Sequence, residues 1–213
     1  MLQQTQVSRV VPKYREFLRT YPTLDSIASS TPTRVCEAWE GLGYYARARS
    51  LHKLAVTVAG DARSRAVAGD GNLRATRRRA RVRNGAKAPA RAARPCLPDD
   101  PAELRTLPGI GAYTAGAVAT FAFERRAPIV DTNVARVLRR VFAPHLAPKT
   151  PATHRTLWSL AEASLPRTGK AAWTHNQALI ELGALVCKPR APRCGECPVN
   201  KDCITNVSGI QSN

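Results

Sequence analysis

Acidic residues are scarce in this chain. Fifteen Asp and Glu face thirty-three Lys and Arg over 213 residues, which leaves a formal charge of +18 and a pI near 10.7. So little negative charge makes a polyanion the default partner, nucleic acid first, with an anionic membrane surface or the ribosome as the alternatives that charge leaves open. Long apolar runs are also missing. None approaches the roughly 18 residues needed to cross a bilayer, so a soluble protein with no membrane partner is expected. No segment shows the alternation of a half-buried strand, which argues against a sheet and for an all-α fold. No signal-peptide pattern opens the chain, and no framework of cysteines runs through it, so a reducing cytosol is the expected compartment. The four histidines, His52, His145, His154 and His175, have no ligand spacing and read as surface or core residues.

Four of the six cysteines are concentrated at one end: Cys187, six residues, Cys194, two residues, Cys197, five residues, Cys203. Segments this short bring four thiolates within reach of one centre, making a loop nucleated by metal rather than by local packing. Structural zinc sites usually show two close cysteine pairs across a longer spacer, and here only Cys194 and Cys197 are close. The spacing therefore favours a [4Fe–4S] cluster and leaves zinc as the alternative. Cys36 reads as a buried helix residue and Cys96 as an incidental loop thiol.

Positive charge is densest from Ala62 to Leu97, where eleven basic residues face Asp70 alone. The stretch has almost no large apolar residue and no helical or alternating pattern, so a disordered or loosely ordered insertion over 61–97 is expected. It could track phosphates, have no role, or be a segment read in the wrong frame.

Elsewhere the periodicity is helical. Val7, Val10, Val11, Tyr14, Phe17 and Leu18 fall on one face of an amphipathic helix, which Pro12 bends or opens and Pro22 closes. A short helix follows around Leu24–Ala28. Thr31 before Pro32 is an N-cap with proline at the first helical position, opening a helix through Trp39. Gly41 and Gly43 punctuate the chain, and a fourth helix runs from Tyr44 to about Val58 with Leu51, Leu54, Ala55 and Val58 inward. Asp99-Asp100-Pro101 starts a short helix over Ala102–Leu107, and an apolar helix covers Tyr113–Phe123. The Pro108-Gly109-Ile110-Gly111 turn between them makes a helical hairpin. Its glycines let a phosphate backbone approach an electropositive helix end. Further helices span Thr132–Phe142, with Arg136, Arg139 and Arg140 off the apolar face, then Thr153–Leu165 and Trp173–Val186.

Five strings occur in order: Met1-Leu-Gln-Gln-Thr-Gln-Val7, Gly41-Leu-Gly-Tyr-Tyr-Ala-Arg-Ala-Arg49, Leu107-Pro-Gly-Ile-Gly-Ala-Tyr-Thr-Ala-Gly116, Val130-Asp-Thr-Asn-Val134 and the cysteine run. Together they resemble the adenine DNA glycosylases of the helix-hairpin-helix superfamily, the MutY type, over nearly the whole chain outside 61–97. The resemblance implies a six-helix barrel over 1–126, with the hairpin at 105–123, packed on a helical iron–sulfur module over 127–204 and followed by a tail at 205–213. It implies removal of adenine mispaired with 8-oxoguanine or guanine from double-stranded DNA, by a monomer acting in the cytoplasm on the nucleoid.

An enzyme acting on a paired base must extrude it. By resemblance, Gln4 and Tyr45 enter the duplex beside the lesion, while Leu107, Gly109, Gly111 and Thr114 belong to the hairpin that grips the backbone. Cys187, Cys194, Cys197 and Cys203 hold the cluster. Breaking the glycosidic bond leaves a sugar with oxocarbenium character, which a fixed carboxylate stabilises or traps. Asp131 matches that carboxylate, although by itself it reads first as a plain N-cap of the helix after it. Asn133 is expected to orient Asp131, and Tyr113 matches a pocket residue assisting the same step. The endonuclease III branch has a lysine nucleophile where Tyr113 stands. Without that amine no Schiff base forms, and a monofunctional glycosylase is expected.

Adenine leaves readily only when a ring nitrogen is protonated, which requires a general acid. The family's acid is a glutamate two residues ahead of the Met-Leu-Gln-Gln string, and here that string begins at Met1. Glu16, Glu37 and Glu40 show no spacing that would replace it. The expectation is a start set at an internal methionine, or a truncated copy, with weak DNA binding and slow adenine release. A non-catalytic iron–sulfur DNA-binding fragment and an endonuclease III-like glycosylase are the rival readings.

Overall fold

The computed structural model describes residues 1, 5–67 and 97–209, with only the helical backbone over 62–67. Gln4, Cys96 and residues 68–96 of the Arg-rich stretch lie outside the described residues. Ten α-helices occur among the described residues, with no strand. The chain divides into two compact units, Met1–Leu97 with Leu107–Gly109, and Pro98–Thr106 with Ile110–Asn213.

The first unit contains α1 (Val7–Thr20), α2 (Leu24–Ala28), α3 (Pro32–Glu37) and α4 (Ala46–Val67). Hydroxyl caps fix the short helices. The Thr23 side chain accepts from the Ser26 N–H and Ser26 answers with the reciprocal bond, while Thr31 caps α3 ahead of Pro32. Both helices pack on α4. Their core gathers Phe17, Tyr21, Ile27, Val35, Trp39, Leu42 and Ala55, with Trp39 edge-on to Phe17 at 5.8 Å between ring centroids.

Two expectations change here, and a third is narrowed. On α1 only Val10 and Phe17 are buried; Val7, Val11, Tyr14 and Leu18 are exposed. Periodicity identifies an apolar face but not how much of it is covered. Pro12 sits inside α1, beyond the first turn. α4 runs to Val67, nine residues past the expected end, because the Ala- and Arg-rich sequence there has high intrinsic helix propensity without an apolar stripe.

The second unit contains α5 (Pro101–Leu104), α6 (Ala112–Phe123), α7 (Thr132–Phe142), α8 (Pro151–Ser164), α9 (Gly169–Glu181) and α10 (Ile204–Val207). A π-helical turn, Leu182–Val186, carries α9 into Cys187, and a 3-10 turn spans Cys194–Glu196. α10 takes in Thr205, Asn206 and Val207, the start of the expected tail. The second unit opens ahead of α5, and α6 belongs with the helices after it. The reason is a buried polar knot. The Ala127 carbonyl accepts both the Thr120 hydroxyl of α6 at 3.0 Å and the Asn176 amide of α9 at 2.9 Å, so α6 is tied to the helices that follow it.

Val134 and Leu138 of α7 are buried among Leu157 and Ala161 of α8 and partly buried Leu179 and Ile180 of α9, while Val137 and Val141, also buried, turn to the cysteine end of the chain. Arg140 was expected off that face. It is only 5% exposed, because its guanidinium turns back onto the chain at Cys187.

α6 ends at Glu124 in a left-handed conformation, φ +51°, and α9 starts at Gly169 directly against the Glu124 carbonyl. A Cβ at 169 would collide with backbone, which cannot swing aside. Gly169→Ala is expected to cost about 1–3 kcal/mol through overpacking and to lower the melting temperature by several degrees, read by circular dichroism.

Candidate active site and metal centre

Asp131 sits at the N-cap of α7. One carboxylate oxygen, Oδ1, accepts the Val134 N–H at 2.7 Å, and the other, Oδ2, accepts the Asn133 side-chain amide at 3.1 Å. Both oxygens are therefore held, and the half-buried carboxylate has a fixed plane. The N-cap role and an electrostatic role are compatible, since the cap supplies the rigidity. Asn133 is braced in turn: its Oδ1 accepts from Arg136 Nη2 at 2.9 Å. A Cβ on Gly183 would fall 2.7 Å from Asn133 Cβ, so the bare glycine lets the π-helical turn lie against that side chain.

Tyr113 is the second residue of α6 and is half-buried. Burial, and then the negative charge of Asp131, push its phenol above the ordinary tyrosine value, so it keeps its proton through the neutral range. Thr114 follows it on α6, partly buried. Gly111 is the N-cap of α6 and provides no capping side chain, leaving the first amides of the helix uncapped by it. Leu107 is partly buried, while Gly109 is exposed at φ +76°. A Cβ on Gly109 would meet Ser50 Cβ at 2.6 Å, so glycine there satisfies both a left-handed turn and a close approach.

In the first unit, Tyr45 lies just ahead of α4 and is 42% exposed. Its neighbour Tyr44 is 61% exposed and holds a left-handed backbone, φ +49°, next to Gly43 at φ +67°. Arg47 organises this loop. Its guanidinium lies 5.3 Å from the Tyr44 ring centroid and 5.6 Å from that of Trp39, and donates to the carbonyls of Met1, Leu42 and Gly43 and to the Thr5 hydroxyl. Neither Tyr44 nor Arg47 stood out as a site residue in the sequence; the glycines on both sides of Leu42 were the available signal.

At the far end of the chain, Cys187, Cys194, Cys197 and Cys203 line a single cavity together with Val137, Val141, Leu182 and Arg140. Arg136 and Arg140, one turn apart on α7, hold the approach to it. Arg136 donates to the Cys187 carbonyl at 2.7 Å and to the Gly183 carbonyl at 2.7 Å. Burial opposes the Arg136 charge and Arg140 adds to that, while Cys187 and Asp131 favour it; the net shift is downward.

With this geometry in place, comparison with known proteins decides the family. Residues 1–163 match the model of the HhH-GPD superfamily of base excision DNA repair proteins. The chain belongs to that superfamily. A second match, the iron-sulfur binding domain of endonuclease III, covers residues 187–203, beginning and ending on cysteines of the run. Among curated relatives, an adenine DNA glycosylase of Mycolicibacterium smegmatis is 40% identical over 200 residues, covering 94% of this chain and 56% of that protein. One of Homo sapiens is 36% identical, covering 95% of this chain and 31% of that protein. The chain thus spans about half the length, or less, of these relatives. Its fold is similar to that of a thermostable thymine-DNA glycosylase, with TM-score 0.73, 26% identity and coverage of 97% of this chain and 80% of that one. It is also similar to endonuclease III trapped on DNA, with TM-score 0.70, 19% identity and coverage of 99% and 82%; that likeness concerns the fold alone.

The HhH-GPD chain's cysteine end fits an iron–sulfur cluster better than one zinc ion. Zinc at about 2.3 Å from each sulfur would draw the four into mutual contact. All four cysteines line one cavity, and no histidine or carboxylate lines it with them. An all-thiolate donor set with a single close pair suits a [4Fe–4S] cube. In addition, the buried Arg140 Nε has no hydrogen-bond partner, as a group placed against a cofactor would have. The cluster is the family's cofactor, and bound to these four cysteines it would hold the loop together.

Stripping the iron with a chelator is expected to free the terminal loop and leave the helices before it folded. Limited proteolysis should then cut between residues 188 and 207 while helical circular dichroism changes little. Unaltered resistance of that loop would contradict the account.

Proposed function

We propose that the chain is a monofunctional adenine DNA glycosylase, removing adenine mispaired with 8-oxoguanine or guanine by hydrolysis of its N-glycosidic bond. The observation that carries this reading is Tyr113, a protonated phenol rather than an amine, beside a carboxylate held at both oxygens. Similarity to adenine DNA glycosylases over 94% of the chain supports it. The partner is double-stranded DNA bound by a monomer, in the cytoplasm and at the nucleoid. A barrel over 1–126 and a cluster module over 127–204 divide the work.

In this reading Gln4 and Tyr45 enter the duplex, and the more exposed, arginine-braced Tyr44 joins them. Leu107, Gly109, Gly111 and Thr114 receive the DNA backbone. The glycosidic bond breaks with its electron pair going to adenine, which leaves with a proton on a ring nitrogen. Asp131 stabilises the oxocarbenium left at C1′, Asn133 keeps the carboxylate in plane, and Tyr113 donates a hydrogen bond in the pocket. Water then adds to C1′ and loses its proton, giving an abasic sugar and free adenine. Cys187, Cys194, Cys197 and Cys203 ligate the cluster.

The resemblance puts the proton donor at a glutamate ahead of Met1. Single-turnover adenine release from an 8-oxoguanine:adenine duplex tests the reading, with the 213 residues preceded by a segment ending in Glu-x so that the proton donor is present. In that longer chain Asp131→Asn should lower release by about 100-fold or more, from loss of transition-state charge stabilisation. Full activity in the Asn variant would refute the assignment of Asp131. Strand cleavage accompanied by a borohydride-trapped adduct would instead favour an endonuclease III-like reaction. DNA binding with no release from the longer chain would favour a non-catalytic role.

Tyr113→Phe in the same longer chain tests the phenol. Because its pKa is raised, the group stays neutral from about pH 6 to about pH 9, so the substitution should lower the rate by about tenfold without reshaping the pH profile. Loss of an alkaline limb in the Phe variant would show a tyrosine titrating within that range.

A further inference from the structure

Arg140 is a buried cation without a buried anion. Its side chain lies in the second unit at 5% exposure, on the last turn of α7, and no carboxylate pairs with it among the described residues. Its Nη1 donates to the Lys188 carbonyl at 2.7 Å and reaches the Cys187 sulfur at 3.4 Å; Nη2 donates to the Pro189 carbonyl at 3.1 Å. Nε is buried with no partner. Neutral carbonyls satisfy hydrogen bonds but do not cancel a charge, and a buried guanidinium with no counter-charge is destabilising.

The backbone of the same residue touches the other end of the cysteine run. The Arg140 carbonyl accepts the Thr205 hydroxyl at 2.6 Å and faces the Cys203 sulfur at 3.4 Å. One residue therefore addresses both Cys187 and Cys203, and it lines the cavity that all four sulfurs share.

We propose that Arg140 is the counter-charge of the iron–sulfur cluster, a positioning residue whose buried guanidinium is balanced only by the thiolate-bound cluster. Four thiolates on a [4Fe–4S] core carry net negative charge, and a cation with an N–H directed at a ligand sulfur favours the more negative, reduced form of the cluster. Arg140 thereby slows loss of iron and raises the cluster's reduction potential. The inference rests on reading Cys187 and Cys203 as cluster ligands.

The test uses the full chain as isolated, with iron and sulfide assayed first. Wild-type protein without iron or broad visible absorbance would overturn the ligand reading and this inference with it. With the cluster present, iron release to a ferrous chelator and the midpoint potential are measured for Arg140→Met and Arg140→Lys. Methionine keeps the bulk and removes the charge, and it should speed release by about tenfold or more, the usual scale for an outer-shell partner of a metal ligand. In the cluster-bearing fraction the potential should fall. Lysine keeps the charge and should restore most of both properties, which a purely packing role would not predict. Wild-type behaviour of the Met variant, or failure of Lys to rescue it, overturns the inference. If the Met variant does not accumulate folded, Arg140→Lys is compared with Arg140→Gln: lysine must retain iron that glutamine loses, and equal retention overturns the inference equally.

Discussion

Arg136 is the interaction on which the second unit most depends. From the middle of α7 its guanidinium reaches back to Asn133, beside Asp131, and forward to the carbonyls of Gly183 and Cys187. One side chain thus fixes a residue at the start of α7, the π-helical turn after α9 and the first residue of the cysteine run. Carbonyl acceptors suit this task because they are rigid and carry no charge of their own. Arginine suits it because its planar fork presents several donors at fixed angles, which a lysine ammonium does not.

The π-helical turn follows from the same demand. A regular continuation of α9 would point the Gly183 carbonyl at an amide of its own helix, whereas the wider turn releases it to accept from Arg136. Glycine is needed there because Asn133 lies within 3 Å of any Cβ. Local helix geometry, a side-chain deletion and a long-range hydrogen bond are thus three consequences of one requirement: the chain must turn toward the cysteine cavity while Asn133 stays in place.

Helices were legible in the sequence where caps and apolar period agreed, as at Thr31-Pro32, at Asp100-Pro101 and along Val134, Val137, Leu138 and Val141. The cysteine end was legible from spacing, because four thiolates within seventeen residues have few alternatives. Burial of charge was not legible. Arg136, Arg139 and Arg140 look alike in the sequence, and only the folded chain sets apart buried Arg140 and, by its carbonyl partners, Arg136, since those partners lie up to 51 residues away. The open side of α1 was invisible for a related reason: periodicity reports that a face is apolar and says nothing about what covers it. Tyr44 and Arg47 escaped notice because a strained backbone and a cation over two rings leave no composition signal.

The surplus of positive charge has a structural counterpart in how the acids are used. Asp99 pairs with Arg125 and Glu162 with Arg126, both at the ends of elements in the second unit, while Glu16 and Glu196 pair with Lys13 and Arg193 within one turn. These are exposed pairs worth little individually and screened by salt. The fold therefore relies on helix packing, carbonyl-anchored arginines and the metal loop, none of which weakens much as ionic strength rises. Binding to a polyanion through the unpaired surplus does weaken with salt, because it releases condensed counterions. Stability and the proposed nucleic-acid affinity are thus assigned to different forces, and a chain built this way would lose its grip on a phosphate backbone in high salt while keeping its structure.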